Sequence, residues 1–268
     1  MTTDFSTVTE LPGVGAHRQQ RVALYTRYSF ARQFAAGKDV LEVACGAGLG
    51  LGYLAGTARR VVGGDIDESN LRIARETYTA RPDITVMKLD AQDLPFENEE
   101  FDVVLLYEAI YYLDQPERFF AEARRVLRPG GVLLIVSVNC EWSGFNPSPF
   151  SVRYFSASEL ADAMRSAGFE PDIRFCFPDK PKGFLGNVIS SVRKTAVRMR
   201  LIPRTMRGKE FLKRVFYGRV NPLERDLQDG AEESAPLHDA PTDGGPVTDF
   251  LVIYAAGRLP DRGPGASD

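Results

Sequence analysis

The chain has 268 residues, of which 44% are hydrophobic, and its formal net charge is −3. This composition supplies the core of one large domain or two small ones, while so small a net charge predicts little about partners. The three cysteines and two histidines do not form a zinc-binding spacing, so we expect no metal and reduced thiols.

From about residue 38, short β-branched runs alternate with segments in which apolar residues recur at helical spacing. The predicted strands are residues 39–43, 61–64, 84–89, 102–106, 132–138, 173–177 and 250–255. The predicted helices are residues 68–79, 116–127 and 158–167, with Ser158 as a start and Gly168 as a stop. Strands that alternate with helices predict an α/β fold with a parallel sheet covered on both faces.

Two regions fall outside this alternation. Residues 14–36 predict one or two helices before the first strand, which would either close over a ligand at the sheet edge or pack against the core. Residues 180–219 hold twelve lysines and arginines against the single acid Glu210, and residues 224–246 are acidic and rich in proline and glycine. The acidic stretch predicts a loop that is partly disordered. The basic stretch is typical either of a surface that meets an anionic membrane or of a solvated helical face paired with the acidic stretch.

A glycine-rich loop follows the first predicted strand, in the segment VLEVACGAGLG at residues 40–50. A dinucleotide fingerprint, G-x-G-x-x-G, would need a third glycine where the chain has Leu51 or Tyr53, and no G-K-[ST] for a triphosphate is present. Glu42, close to the loop, would repel a phosphate and attract an ammonium group. The loop therefore predicts the close approach of a ligand with a cationic end.

Five sequence blocks in a fixed order resemble the class I S-adenosylmethionine-dependent methyltransferases. The blocks are VLEVACGAGLG, VVGGDID at 61–67, LDAQDLPF at 89–96, FDVVLLYEAIYYL at 101–113 and RVLRPGGVLLIVSVN at 125–139. The resemblance covers roughly residues 38–177 and is to the ubiquinone/menaquinone-type and the sugar- or polysaccharide-modifying branches. Where the family usually reads E-x-G-x-G-x-G, this chain has Ala44 at the first glycine, which we expect to hinder close approach only slightly.

This resemblance implies S-adenosyl-L-methionine as the cofactor and a Rossmann-like fold. The expected sheet is seven-stranded and mostly parallel with an antiparallel last strand, accompanied by an N-terminal helical lid and a helical insertion before the last strand. The expected divisions are a helical cap at 1–36, a cofactor-binding core at 37–177, a basic helical insertion and acidic loop at 178–246, the last strand at 247–258 and a flexible tail at 259–268.

The resemblance also assigns a cofactor site at the carboxyl ends of the strands, where open α/β sheets bind ligands. Glycines in the loop would admit the methionine part, whose amino group Glu42 would attract, and Asp65 would accept hydrogen bonds from both ribose hydroxyls. Ile66 would cover one face of the adenine, Asp90 would bind its amino group, and Tyr107 would border the sulfonium. The assigned cofactor residues are Glu42, Ala44, Gly46, Gly48, Asp65, Ile66, Asp90, Ala91 and Tyr107.

The predicted function is transfer of a methyl group, by direct in-line displacement, to a small-molecule or glycan acceptor through a hydroxyl oxygen. A general base is needed only if the acceptor loses a proton in this step. The candidate bases are Glu108, Tyr111, Tyr112 and His17. The candidate acceptor-binding residues are Trp142, Phe145, Asn146, Arg153 and Tyr154, and the other aromatics of the same segment, Phe150 and Phe155, could line the same pocket. Two alternatives stay open, a nicotinamide-dependent oxidoreductase and a non-catalytic cofactor-binding scaffold.

The expected partner is a small-molecule, sugar or lipid-linked acceptor, and residues 180–219 would add peripheral contact with an anionic membrane if the surface interpretation holds. Nucleic acid is not expected, because the chain is slightly acidic and carries no RNA-reading motif. The first ten residues lack a secretory signal pattern, and no run of about 18 apolar residues occurs. We therefore expect a cytoplasmic protein.

Overall fold

The computed structural model describes residues 9–148, 150–179, 220–240 and 245–261. Its strands are β1 (Gly15–His17), β2 (Asp39–Val43), β3 (Arg60–Asp65), β4 (Ile84–Lys88), β5 (Phe101–Tyr107), β6 (Leu127–Val138), β7 (Glu170–Pro178), β8 (Val220–Pro222), β9 (His238–Asp239) and β10 (Phe250–Arg258). Its helices are α1 (Arg18–Ala35), α2 (Leu51–Ala55), α3 (Glu68–Tyr78), α4 (Pro116–Val126) and α5 (Ala157–Ser166), with a 3₁₀ turn at Ile110–Tyr112. The predicted strands and helices are all present, with their ends displaced by a few residues.

The main sheet has eight strands in the order β4-β3-β2-β5-β6-β10-β7-β9. The strands from β4 to β6 pair in parallel, and β10 runs antiparallel between β6 and β7. The prediction of a mostly parallel sheet with an antiparallel last strand is therefore confirmed. The predicted count of seven is one too low for the described residues, because the two-residue strand β9 pairs with the edge of β7. Strands β1 and β8 form a separate antiparallel ribbon.

Helices cover both faces of the main sheet and enclose one apolar cluster on each. Leu41 and Val43 of β2 belong to the cluster under α4 and α5, whereas Val40 belongs to the cluster under α1, α2 and α3. Alternate residues of a strand point to opposite faces, so a strand buried on both sides must be apolar throughout. Each such side chain contributes about 1.5–3 kcal/mol on full burial.

Helix α5 begins with a capping box that differs from the predicted start. The Ser156 hydroxyl accepts a hydrogen bond from the Glu159 backbone N–H, and the Glu159 side chain accepts one from the Ser156 N–H. Ser158 therefore lies inside the first turn, and the prediction that it starts the helix is wrong. Two serines precede the apolar stripe, and only Ser156 has an acid three residues later. Gly168 follows the end of α5 with a φ of 86°, as its predicted role as a stop requires.

The described part of the acidic stretch packs along α1. The Tyr25 hydroxyl accepts a hydrogen bond from the Gly230 backbone N–H at 3.1 Å, and the Thr26 hydroxyl accepts one from the Ala235 N–H at 3.0 Å. Contacts of this kind fix residues 220–240 against the helix, although little of the segment is regular structure. The described part of the expected loop is therefore held against α1 by hydrogen bonds.

Other predicted segments fall outside the described residues. These are the basic stretch 180–219 and the tail from residue 262. The division of the chain into a cap, a core, an insertion, a last strand and a tail stays a prediction. In the described part of the chain, no helix combines the length and the hydropathy that crossing a bilayer requires.

Candidate active site

A cavity of about 1240 Å³ opens at the carboxyl ends of β2, β3 and β5. Its lining includes Gly46, Asp65 and Asp90, and also Glu108 and Tyr111. Parallel α/β sheets bind their ligands at this edge, because the loops that leave adjacent strands separate there. The topology thus brings most of the predicted cofactor residues and three of the four candidate bases to one cavity.

The glycine loop follows β2 and turns through left-handed backbone conformations. Ala44, Gly46 and Gly48 have φ values of 58°, 56° and 76°. A non-glycine residue in this region costs roughly 1–2 kcal/mol, so the backbone of Ala44 is strained. The sequence alone suggested only that its methyl group would slightly hinder the approach of a ligand. Ala44 and Gly46 line the cavity, but Gly48 does not. A Cβ on Gly48 would lie 3.0 Å from the Ala74 Cβ, so this glycine permits packing against α3.

Asp65, the last residue of β3, fixes this loop from the neighbouring strand. Its Oδ2 accepts a hydrogen bond from the Gly46 N–H at 2.9 Å, and its Oδ1 accepts one from the Asp67 N–H at 2.8 Å. Burial raises the pKa of the Asp65 carboxyl, and the two backbone donors act against that rise. Asn70, which the sequence analysis missed, lines the cavity beside Asp65. Asn70 also forms a side-chain hydrogen bond with the Asp65 carboxylate, which with its two oxygens has acceptor capacity beyond these three donors.

The predicted adenine-binding residues line the same cavity. Ile66 is 50% exposed, which is unusual for a large apolar side chain and leaves its surface open to a ligand. The Asp90 Oδ1 accepts a hydrogen bond from the Gln92 N–H at 2.9 Å, and Ala91 lines the wall between them. The arrangement presents an apolar surface and a carboxylate side by side.

Glu42 is buried at the end of β2 and is the most perturbed acid at this site. The Tyr28 hydroxyl of α1 donates a hydrogen bond to its Oε1 at 2.6 Å, while its Oε2 has no partner within the described ranges. Burial raises the pKa of Glu42 to about 7, against the lowering effects of Tyr28 and of the nearby Arg27. A buried carboxylate with one open oxygen is suited to an ammonium group. Tyr28 was missed by the sequence analysis, because in α1 it looks like one aromatic in an apolar stripe.

Tyr107 is the last residue of β5, whereas the strand predicted from the sequence ended one residue before it, at residue 106. Its ring packs edge-on against Tyr28, with 5.8 Å between the centroids. Its hydroxyl is buried without a hydrogen-bond partner among the described residues. It lines the cavity between the glycine loop and Glu108.

Of the four candidate bases, Glu108 and Tyr111 form a bonded pair. The Tyr111 hydroxyl donates to the Glu108 Oε2 at 3.0 Å, and burial raises the pKa of Glu108. Glu108 has a φ of 52°, a conformation that turns the chain sharply out of β5. Tyr112 also lines the cavity, and its hydroxyl lies 3.0 Å from that of Ser148. His17 does not line the cavity: its Nδ1 accepts a hydrogen bond from the Gln20 N–H and caps α1.

The five predicted acceptor-binding residues do not line the cavity. The Trp142 indole N–H donates to Asp179, and Arg153 pairs with Glu159 at 3.2 Å. Tyr154 stacks on the outer side of Tyr111 and also contacts Phe145, while Asn146 is exposed. Phe150, another aromatic that the sequence suggested for this pocket, does line the cavity, as does Val152, which was not predicted. The chain passes back over the 3₁₀ turn there, because the Val152 N–H donates to the Tyr111 carbonyl at 2.8 Å.

Two further cavity residues were also missed, Arg27 of α1 and Tyr254 of β10. Arg27 is only 9% exposed and forms an ion pair with Glu10, and Tyr254 is fully buried. Neither belongs to a local motif, and they lie at opposite ends of the sequence. The sheet topology alone brings them together, since β10 inserts beside β6.

The chain is similar to methyltransferases in sequence. Residues 41–135 match the family profile described as a methyltransferase domain. A probable S-adenosylmethionine-dependent methyltransferase of Mycolicibacterium smegmatis is 38% identical over 141 residues, which cover 50% of this chain and 53% of that protein. A phthiotriol/phenolphthiotriol dimycocerosates methyltransferase 1 of Mycobacterium ulcerans is 43% identical over 100 residues, which cover 37% of this chain and 36% of that protein. The chain thus spans about half the length, or less, of these curated relatives.

Solved structures show the same fold. A S-adenosylmethionine-dependent methyltransferase from Thermotoga maritima superposes with a TM-score of 0.56 at 20% identity, over 89% of each chain. The YcgJ protein from Bacillus subtilis superposes with a TM-score of 0.56 at 14% identity, over 91% of this chain and 100% of that one. The ordered sequence blocks and the family profile thus indicate a methyltransferase domain within residues 41–135, and the fold is the Rossmann-like fold of class I methyltransferases.

Proposed function

We propose that this chain uses S-adenosylmethionine to methylate a hydroxyl oxygen of a small-molecule, sugar or lipid-linked acceptor. The observation that carries the proposal is that the Glu108–Tyr111 pair lines the same cavity as Asp65 and the Gly46 loop. The proposed cofactor site and a candidate base thus share one cavity. The family match gives no support to the nicotinamide-dependent alternative.

The lining of the cavity fits this cofactor. The open Oε2 of Glu42 suits the amino group of the methionine part, and Asp65 has lone pairs for the two ribose hydroxyls. Ile66 and Asp90 offer an apolar surface and an acceptor for the adenine. The cavity of about 1240 Å³ exceeds the usual size of a site for one ligand, so it has room for an acceptor as well. Bound there, the cofactor supplies a methyl group on a cationic sulfur that leaves as a neutral thioether.

The protein residues would position the acceptor and remove its proton. Glu108 accepts the proton of the hydroxyl as its oxygen attacks, because a carboxylate with a raised pKa is a stronger base than an exposed one. Tyr111 holds that carboxylate through its hydrogen bond at 3.0 Å. Glu108 is half-buried and Tyr111 is buried, so water has limited access to compete as a hydrogen-bond partner.

The mouth of the cavity favours an acceptor with an apolar part. Phe150 is 40% exposed and Val152 is 57% exposed, and both line this opening. Large apolar side chains held in contact with water at the entrance of a site indicate a binding surface. The Mycobacterium ulcerans relative is named for phthiotriol and phenolphthiotriol dimycocerosates. These compounds are therefore the first acceptors to test.

Replacement Glu108→Gln is expected to lower the methyl-transfer rate by about 100-fold or more, because the amide cannot take the proton of the hydroxyl. Affinity for S-adenosylhomocysteine should change by less than about threefold, since Asp65 and Glu42 are intact. The rate is measured with labelled S-adenosylmethionine and extract of the source organism, and the affinity by calorimetry.

The matched control is Glu117→Gln, at an exposed position in the first turn of α4, which should leave both quantities unchanged. Transfer at the wild-type rate by Glu108→Gln would remove Glu108 as the base. Tight binding of NADH in place of S-adenosylhomocysteine would overturn the proposed cofactor itself.

Peripheral contact with an anionic membrane through residues 180–219 remains part of the proposal. Acids of the following stretch already have other partners: Glu232 pairs with Arg21 at 2.7 Å and Asp229 with Arg32 at 3.0 Å. These acids are therefore less available to neutralise the basic stretch. A cytoplasmic protein with such a basic stretch would bind at the surface of the membrane without crossing it.

Binding to liposomes tests that contact. We expect sedimentation with vesicles of phosphatidylglycerol and phosphatidylcholine, and a loss of up to about 1,000-fold in partition when the four arginines become alanine, because four cations at roughly 1 kcal/mol each contribute about 4 kcal/mol. The arginines are Arg198, Arg200, Arg204 and Arg207. Pure phosphatidylcholine vesicles are the control. Absence of binding to anionic vesicles, or equal binding by the variant, would reject membrane contact.

A further inference from the structure

Three buried donor groups in the cavity have no hydrogen-bond partner in the described part of the chain. They are the Nε–H of Arg27 and the hydroxyls of Tyr107 and Tyr254. All three residues line the cavity, and none is more than 9% exposed. Because almost all buried polar groups in folded proteins are hydrogen-bonded, three unpaired donors in one cavity require an explanation.

The three donors line one cavity together with Glu108 and Tyr111, and Tyr107 directly precedes Glu108 in the chain. The Arg27 guanidinium and the Tyr254 hydroxyl influence each other's pKa, and both also interact with Glu108. The pKa of Tyr107 responds to Tyr254 and to Arg27. The residues come from α1, β5 and β10: helix α1 packs against β5 and β6, and only β6 separates β5 from β10 in the sheet. The cluster therefore adjoins the Glu108–Tyr111 pair, where the acceptor would react.

The charges around this cluster restrict what it can bind. Arg27 forms an ion pair with Glu10 at 2.5 Å and also interacts with Glu108. One cation thus faces two acids, and Glu42 adds a third acid close by. A carboxylate or a phosphate brought to this cluster would meet an excess of negative charge. The donors are therefore suited to an oxygen that carries no charge.

We propose that Arg27, Tyr107 and Tyr254 form a specificity subsite for an uncharged oxygen of the acceptor, adjacent to the hydroxyl that is methylated. The oxygen is a carbonyl, an ether or a second hydroxyl, since each accepts hydrogen bonds without charge. This inference rests on the proposed function. A site built to bond such an oxygen discriminates strongly against analogues that lack it, because its buried donors are then left unpaired.

The first test measures the stability of the protein without ligands. Tyr254→Phe removes a buried, unpaired hydroxyl with little change of shape, so we expect the Tm to rise by about 2–4 °C. Tyr25→Phe is the matched control, because the Tyr25 hydroxyl accepts a hydrogen bond from the Gly230 N–H and does not line the cavity. Its Tm should fall. A fall for Tyr254→Phe as well would show that its hydroxyl is bonded within the free protein and would overturn the inference.

The second test measures transfer of the labelled methyl group to extract that has been separated by anion exchange. We expect label in the uncharged fraction, and for the acceptor purified from it a loss of about tenfold in kcat/KM in Tyr254→Phe. Affinity for S-adenosylhomocysteine should stay within about threefold, and Tyr25→Phe should transfer at the wild-type rate. Label confined to the anionic fraction, or unchanged kcat/KM in Tyr254→Phe, would overturn the subsite alone. A wild-type protein that binds no S-adenosylhomocysteine would instead overturn the proposed function.

Discussion

Replacement Asp65→Ala is expected to raise the Kd for S-adenosylhomocysteine by about 100-fold or more. The carboxylate holds the glycine loop through the Gly46 N–H and holds the next turn through the Asp67 N–H. Its loss frees the loop and removes the proposed acceptors for the ribose hydroxyls, and hydrogen bonds to a charged group contribute about 1.5–3 kcal/mol each. Isothermal titration calorimetry measures the Kd.

Two further variants separate binding from folding. Asp65→Asn should give an intermediate Kd, because the amide retains an acceptor but loses the charge. Asp83→Asn is the matched control, since Asp83 pairs with Arg81 and does not line the cavity. If Asp65→Ala binds within about threefold of the wild type while circular dichroism shows an intact fold, Asp65 is not a cofactor residue.

Affinity for S-adenosylhomocysteine is expected to increase by about fivefold to tenfold between pH 6 and pH 7.5. Burial raises the pKa of Glu42 to about 7, so its carboxylate ionises across this range and becomes able to bind an ammonium group. Glu42→Gln should bind more weakly at pH 7.5 and should lose this pH dependence. An identical pH profile in the wild type and in Glu42→Gln would exclude Glu42 as the ammonium-binding group.

The same residue should make the free protein less stable as the pH rises. The pKa of Glu42 is 4.5 in its ordinary state and about 7 in the folded chain. Between these values the folded state retains a proton that the unfolded state releases, so stability falls through this window by about 3 kcal/mol. Glu42→Gln should therefore exceed the wild type in free energy of unfolding at pH 8 and match it near pH 4.5. Urea denaturation at the two pH values measures the difference, and equal curves at both would contradict it.

The glycine loop shows how far local sequence information reaches. The spacing of Gly46 and Gly48 predicted a turn that admits a ligand, and both do adopt positive φ. Only the packed structure separates their roles, because Gly46 lines the cavity while Gly48 permits contact with Ala74 of α3. Likewise, the backbone strain at Ala44 follows from its φ, which cannot be read from the residue type alone.

The acceptor half of the site was predicted less well than the cofactor half. Aromatic residues after β6 suggested a pocket, yet Trp142 bonds to Asp179 and Tyr154 stacks behind Tyr111. An aromatic side chain packs equally well in a core or in a pocket, so its type alone does not place it. The path of the chain over the 3₁₀ turn decides that Phe150 and Val152 reach the opening.

By itself, the sequence determined the α/β fold, the parallel strands and the acids at their carboxyl ends. These depend on periodicity, turns and short motifs, whose interactions lie within a few positions along the chain. Only the tertiary structure determined which residues bond to those acids and which distant residues line the cavity with them. Tyr28 reaches Glu42, and Arg27 and Tyr254 line the same cavity, because α1 packs over the sheet and β10 inserts beside β6. Such contacts join distant segments through burial and sheet order, which no local pattern encodes.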